Sequence, residues 1–329
     1  MKIVSYISSI KAGKRSNSQN PITAALDSIV SAANNSGGEF VAYKHEGTHT
    51  VGADVGFCFG SYTQRKLEVE RAVLIRAIEA AKQPCFFLDS SAFSTHIRNS
   101  LNSSETFMFR LGLNSCTGEG VFWNQDLPSE RYDAMKKTFN FTEKDPQNNV
   151  TGAIVFLAQT ETGWQFDDLE PYYKFANKTL KEIREHTDRK IIYRTHPKLD
   201  PRSPLDKCIE GIENLEVHNC PVSRRTLFES LDGAYAVVTH SSSGALEAVL
   251  EGIPTFALSP RTFGSPLYLT DLKDIGNAFH TFPWDDRQQW LYNLAYTSWS
   301  VEELKTIEVL RYYTLSLIHI SEPTRPSVI

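Results

Sequence analysis

The run Thr239-His240-Ser241-Ser242-Ser243-Gly244 places an imidazole, three serine hydroxyls and a glycine in succession. Val237 and Val238 lead into it as a β-branched strand, and Leu246, Val249 and Leu250 follow at helical spacing. Gly252 and Pro254 close the helix, and a second apolar run covers 255–258. The pattern is a strand–turn–helix–strand unit of a parallel sheet. Its turn offers hydroxyls and backbone N–H groups at a helix N-terminus, where the helix dipole adds roughly 0.3–1 kcal/mol for an anion. Serines also cap helices without any ligand. Three in a row, after a strand and beside His240, favour a phosphate-bearing guest. Glu247, one turn into the helix, reads equally as an acceptor for ribose hydroxyls and as a solvated acid near a positive helix end.

A second cluster is Arg194-Thr195-His196-Pro197-Lys198, after the apolar run 190–193. Two fixed cations and a titratable imidazole at a strand's carboxyl end suit a phosphate-bearing ligand. Pro197 keeps His196 out of helical geometry. The loop from Gln159 to Trp164 follows another strand pattern. Gly163 there permits close backbone approach, and Trp164 could stack on a base or sugar or be buried in the core. Lys11, Lys14 and Arg15, in the loop after the first strand, could track a polyanion or belong to a solvated loop.

These clusters need strands to carry them. Strand patterns lie at 3–7, 40–43, 55–59 and 84–88, with helical periodicity opening near Pro21 and over 66–81. The stretch 107–123 reads as irregular. The polar run 142–149 reads as a linker. Strands then resume at 153–157, 190–193, 215–217, 236–239 and 255–258, with helices over 169–185, 223–231, 285–296 and 301–313. The expected fold class is α/β: two Rossmann-like domains facing across a cleft, at 1–147 and 148–314. Residues 315–329 resemble the translation of a transposase-based sequencing adapter and are set apart from the fold.

The bulk numbers fit this reading. The chain has 329 residues, 41% hydrophobic and 22% charged, with a net charge of −5. No apolar run is long enough for a membrane span. Five scattered cysteines form no CxxC pair, which disfavours a zinc site or a disulfide framework and fits a reducing cytoplasm. The acidic balance argues against a nucleic-acid-coated protein. Local basic segments remain: the first twenty residues, and 188–207, where Arg189, Lys190, Arg194, Lys198, Arg202 and Lys207 outnumber three aspartates. HExxH, GxSxG, Walker A and GxGxxG patterns are absent, so metalloprotease, α/β-hydrolase, P-loop kinase and simple dinucleotide oxidoreductase readings lose support.

With RTHPK (Arg194 to Lys198) and THSSSGALEAVLEGIP (Thr239 to Pro254), the second half resembles GT-B glycosyltransferases of the capsular-polysaccharide type. A further resemblance, to phage-encoded proteins, runs through Glu46-Gly47, the Gly- and Asn-containing stretch 111–118, Gln159 with Gly163-Trp164, and 286–304. It covers most of 40–310, most strongly from about 150 onward. The first domain departs most, its basic and aromatic runs reduced to Gly60, Tyr62 and Arg65.

The resemblance implies a nucleotide-sugar donor, a UDP-sugar first, with no permanently bound cofactor and no metal. The donor set would be Gly163, Trp164, Arg194, His196, Lys198, His240, Ser241, Ser242, Ser243, Gly244 and Glu247. The catalytic set would be Asp89 as first candidate base, Glu46 as second, and His196 on the sugar-phosphate side. Lys11, Lys14, Arg15, Arg65 and Asn114 would meet the acceptor, expected to be DNA carrying a hydroxymethylated pyrimidine, flipped from the duplex. Two alternatives stand beside it: a glycosyltransferase acting on a capsular or surface glycan, and a nucleotide- or sugar-binding module without catalysis.

Overall fold

The computed structural model describes residues 1–7, 21–60, 69–93, 108–115, 117–121, 125–160, 171–199, 203–220, 226–259, 262 and 266–321, with side chains as far as Thr314. The chain forms two compact units. Unit 1 comprises Met1–Cys116 and Thr297–Ile329, and unit 2 comprises Thr117–Tyr296. Both are Rossmann-like α/β sheets.

Unit 1 runs β1 (Lys2–Tyr6), α1 (Pro21–Asn34), β2 (Val41–His45), β3 (Val55–Phe59), α2 (Val69–Ala80), β4 (Cys85–Ser90) and β5 (Met108–Leu113). Unit 2 runs α3 (Glu130–Phe139), β6 (Ile154–Leu157), α4 (Tyr172–His186), β7 (Ile191–Arg194), α5 (Leu205–Ile209), β8 (Leu215–His218), α6 (Leu227–Leu231), β9 (Ala236–Thr239), α7 (Gly244–Leu250), β10 (Thr255–Ala257), α8 (Ala278–Thr281) and α9 (Arg287–Ala295). The chain then returns to unit 1 as β11 (Ser298–Ser300) and α10 (Ile307–Ser321), a helix that runs into the segment set apart as adapter-like.

The sheet of unit 2 has the order β10-β9-β6-β7-β8, with every pairing parallel. Winding proceeds from β6 to β7 and β8 on one side, then crosses to β9 and β10 on the other. The topological switch point therefore lies between β6 and β9, where the carboxyl ends of open α/β sheets leave a crevice for ligands. Alternating side chains bury both faces. Ile154, Phe156, Tyr193, Val238 and Phe256 pack with Ala176, Leu180 and Ile183 of α4. Val155, Leu157 and Val237 pack with Leu231, Ala248 and Ile253 on the opposite side.

The sheet of unit 1 has the order β11-β5-β4-β3-β1-β2. Strands β1 to β4 are parallel, and β5 is antiparallel to β4. Its switch point lies between β1 and β3. The loops after those two strands, 8–20 and 61–68, fall outside the described residues.

Three features differ from the sequence reading. First, part of the stretch expected to be irregular is strand β5. Arg110 occupies its centre with no exposed surface, an unusual core residue that breaks the apolar pattern. Second, the polar run 142–149 is docked main chain. Lys144 N–H donates to Leu250 O at 2.7 Å, Gln147 N–H to Gly252 O at 2.8 Å, and Asn149 Nδ2 to Ala234 O at 3.0 Å. Arg287 Nη1 donates to Lys144 O at 2.8 Å. Gly252 has φ +75°, and a Cβ there would lie 2.2 Å from Asp145 O, so the approach requires glycine. Third, the units divide at Thr117, ahead of the polar run, and the chain recrosses after Tyr296. The return is anchored by β11 on β5, by Ser91 Oγ to Ser298 Oγ at 2.8 Å, and by Trp299 Nε1 donating to Tyr313 Oη at 2.9 Å.

Candidate functional site

The carboxyl ends of β9, β6 and β7 lie side by side and carry the two clusters singled out in the sequence. With strands roughly 4.8 Å apart, β9 and β7 are separated by about 10 Å.

Strand β9 delivers the serine turn. The side chain of Gln159, just beyond β6, reaches across the switch point to it. Gln159 Oε1 accepts from Ser241 N–H at 2.9 Å, and Gln159 Nε2 donates to Ser241 Oγ at 3.2 Å. Gln159 N–H donates in turn to Tyr172 Oη at 2.9 Å. Ser241 is thus a buried tie between two strands, and its N–H and hydroxyl are engaged within the protein; this differs from the expected donor contact. His240 is buried as well, edge-on to Phe175 with ring centroids 4.9 Å apart, and its Nδ1 lies 3.2 Å from Ser241 Oγ.

Ser242 and Ser243 are half-buried at the surface of the turn. Ser242 Oγ accepts from Gly244 N–H at 3.2 Å, while Ser242 N–H makes a long 3.4 Å bond to Thr239 Oγ1. The N–H and hydroxyl of Ser243 have no hydrogen-bond partner among the described residues. Gly244 packs against Leu157, and a Cβ there would approach its Cδ1 to 2.9 Å. Helix α7 is two turns long, so anion affinity at this place rests on individual N–H and hydroxyl groups more than on a macrodipole. Glu247 is 1% exposed. Burial and the Glu247 carboxylate beside it push the Tyr268 phenol up, which puts Glu247 next to that ring and away from open solvent.

Strand β7 delivers Arg194 to Lys198. Arg194 is buried, with Nη1 directed at Cys220 Sγ, and burial lowers its pKa while Cys220 opposes the shift. Its charge raises the local potential from below the surface. Thr195 Oγ1 accepts from Cys220 N–H at 2.9 Å and donates to His218 O at 3.3 Å, which locks the loop to the end of β8. His196 is partly exposed and Lys198 is exposed. Lys198 N–H donates to His196 Nδ1 at 3.0 Å, leaving Nε2 to carry the proton of the neutral ring. Burial, Lys198 and Arg194 all hold the His196 pKa below its ordinary value. A neutral imidazole with its N–H on Nε2 and an exposed ammonium are suited to an anionic oxygen.

In unit 1, Asp89 ends β4. One carboxylate oxygen accepts from Ser90 N–H at 2.7 Å, and the other faces Arg110 Nη2 at 3.6 Å. The pair forms because Asp89 and Arg110 are register partners on β4 and β5. Glu46 follows β2 and is exposed. Asn114 does not share this end of the sheet. It sits beyond β5, at the amino end of β4, with φ +57°. Its Oδ1 accepts from Cys85 N–H at 3.0 Å, and its own N–H donates to Cys85 O at 2.7 Å. That is turn chemistry, tolerated by asparagine in the left-handed region, in place of the expected acceptor contact. Gly163, Trp164, Lys11, Lys14, Arg15 and Arg65 lie outside the described residues.

Gln159, Tyr172 and Phe175 are the residues the sequence reading did not assign to the site. A lone glutamine after a strand carries no local signature, and its partner is 82 positions away. Among the described residues, no group of three or more His, Cys, Asp or Glu side chains is arranged to hold a metal ion. No helix of the described residues is long and apolar enough to cross a membrane.

No family model matches the chain, and neither does any curated protein. Solved structures give low-identity likenesses. The KpsC beta Kdo 2,7 transferase of Thermosulfurimonas dismutans is 13% identical with a TM-score of 0.42, over 95% of this chain and 100% of that one. The beta Kdo 2,4 transferase of the same KpsC gives 12% and 0.40, over 79% and 85%. The UDP-GlcNAc 2-epimerase of Methanocaldococcus jannaschii, in complex with UDP-GlcNAc and UDP, gives 12% and 0.35, over 95% and 99%. At these identities none of them assigns an activity to this chain.

Proposed function

We propose that the chain is a nucleotide-sugar-dependent glycosyltransferase of GT-B type, with the donor held by unit 2. One observation carries this reading. The half-buried Ser242 and Ser243 and the His196–Lys198 loop stand at the carboxyl ends of β9 and β7, on either side of β6 and beside the switch point between β6 and β9. Ser242 and Ser243 would take the nucleotide phosphates through N–H and hydroxyl groups. His196 Nε2–H and Lys198 would meet the oxygens that gain charge as the sugar leaves, with the buried Arg194 reinforcing them. An acceptor hydroxyl oxygen would bond to the anomeric carbon as the carbon–phosphate oxygen bond breaks. Asp89, held in one orientation by Ser90 and Arg110, would take the hydroxyl proton, with Glu46 as the second candidate.

We assign the acceptor to DNA with a hydroxymethylated pyrimidine, on the phage-type resemblance of the sequence. The net charge of −5 favours the second reading, a capsular or surface glycan acceptor. Calorimetric titration with UDP, GDP, CDP and CMP tests the donor site. Incubation with UDP-glucose and hydroxymethylated DNA, then nucleoside mass spectrometry, tests the acceptor. A gain of one hexose supports the DNA reading, and transfer to glycan alone replaces it. Nucleotide binding without transfer to either acceptor leaves a binding module.

A further inference from the structure

We propose that Gln159 is a positioning residue: it holds His240 as a neutral imidazole with its proton on Nε2, and it fixes the direction of the serine turn. The argument follows donors and acceptors. Ser241 N–H can only donate, so the Gln159 atom 2.9 Å from it is the amide oxygen. The other half of the amide, an NH2 group that can only donate, then faces Ser241 Oγ at 3.2 Å. Ser241 Oγ accepts there, which releases its own proton toward the lone pair of His240 Nδ1, also at 3.2 Å. The competing arrangement, Ser241 Oγ donating to Gln159 Oε1, has the longer separation of 3.5 Å. A ring that accepts at Nδ1 and is neutral carries its hydrogen on Nε2.

Each member of this relay is held in place. Gln159, Ser241 and His240 are all buried, so bulk water does not substitute for a lost partner. Phe175 meets the His240 ring edge-on at 88°. Tyr172, on α4, accepts the Gln159 N–H. The relay spans the switch point, from the end of β6 to the end of β9. Because Ser241 N–H is turned inward to Gln159 and Ser242 N–H is on a long 3.4 Å bond to Thr239 Oγ1, the N–H of Ser243 is the one the turn offers first to an anion. This second consequence rests on the nucleotide site proposed above; the imidazole tautomer does not.

The experiment uses uniformly 15N-labelled full-length protein at pH 7.5. Long-range 15N–1H correlation of the imidazoles reads the tautomer, with His240 assigned by the signal lost in His240→Gln. The expected wild-type pattern is the Nε2–H tautomer. Ser241→Ala removes the link to His240 while keeping the main-chain bond to Gln159. It should give a mixture of tautomers and leave UDP affinity within about threefold. Gln159→Met removes both bonds and should give the same mixture with UDP binding about tenfold weaker. An Nδ1–H pattern in the wild type, or an unchanged pattern in Ser241→Ala, overturns the relay. Wild-type affinity for UDP in Gln159→Met overturns the positioning of the turn. If the wild type binds none of UDP, GDP, CDP and CMP, the nucleotide site fails and the turn-positioning role with it, while the tautomer pattern decides the relay independently.

Discussion

The two units share a parallel sheet but handle their switch points differently. In unit 2 a buried amide joins the two strands on either side, and the described chemical groups sit directly after β6, β7 and β9. In unit 1 the described chemistry lies one strand away, at β4, where Asp89 is committed to a buried arginine. On the proposed reading unit 2 meets a phosphate-bearing donor, which main-chain N–H groups with a few fixed hydroxyls suffice to hold. On the same reading the acceptor falls to unit 1, where the loops after β1 and β3 lie outside the described residues.

The contrast can be broken most forcefully at Asp89. Asp89→Asn keeps the hydrogen bond from Ser90 but removes the charge facing a guanidinium with no exposed surface. Stability should fall by about 2 kcal/mol in urea unfolding, since a buried guanidinium loses an ion-pair partner, moderated by the partial exposure of Asp89. Sugar transfer should be lost while nucleotide affinity is kept. Full turnover in a folded Asp89→Asn protein removes it as the base. The next effect is on the unit 2 side. Ser242→Ala with Ser243→Ala should weaken nucleotide binding about tenfold and lower stability by no more than about 1 kcal/mol, because Ser242 Oγ gives up one bond from Gly244 N–H while the Ser243 hydroxyl caps nothing in α7. Equal losses of affinity and stability would make the turn a purely structural cap.

The smallest effect concerns His196, and its sign is fixed. Its folded-state pKa is held below the unfolded value, so the unfolded chain binds more protons as the medium acidifies. The associated stability is fully present above about pH 6.5 and declines as pH falls through the folded-state value. Urea unfolding at pH 7.5 and pH 5 should show a loss in the wild type that His196→Gln lacks, by a fraction of a kcal/mol given the partial exposure of the ring. A larger loss in His196→Gln would reverse the assignment of a neutral imidazole.

The parts of the molecule written in local pattern were the readable ones. Strands β6 and β9 are short buried apolar runs, and the serine turn with Gly244 follows its strand directly. The RTHPK loop is equally contiguous. What depended on distant partners was not readable. Strand β5 hides behind Arg110, a buried charge whose ion-pair partner Asp89 lies on β4, out of reach of local pattern. Strand β11 is three residues, Ser298–Ser300, paired with a strand far earlier in the chain. Asn114, expected from the resemblance to meet the acceptor, has its Oδ1 engaged by Cys85 N–H, a partner 29 positions away that no local pattern shows. In the serine turn, composition marked all three hydroxyls alike. The tertiary structure divides them: Ser241 turns to Gln159, Ser242 accepts from Gly244 N–H, and the Ser243 hydroxyl has no partner among the described residues.

The docking of Lys144, Asp145 and Gln147 along α7 and Gly252 bears on how this protein can be dissected. A fragment meant to express the nucleotide half alone should run from Thr117 to Tyr296. One starting at residue 148 discards the strap, strips acceptors from Arg287 and bares the end of the helix that follows the serine turn. Proteases that favour charged, hydrophilic peptides should pass over this run while the fold is intact, so resistance to cleavage there is a simple readout of whether unit 2 has formed.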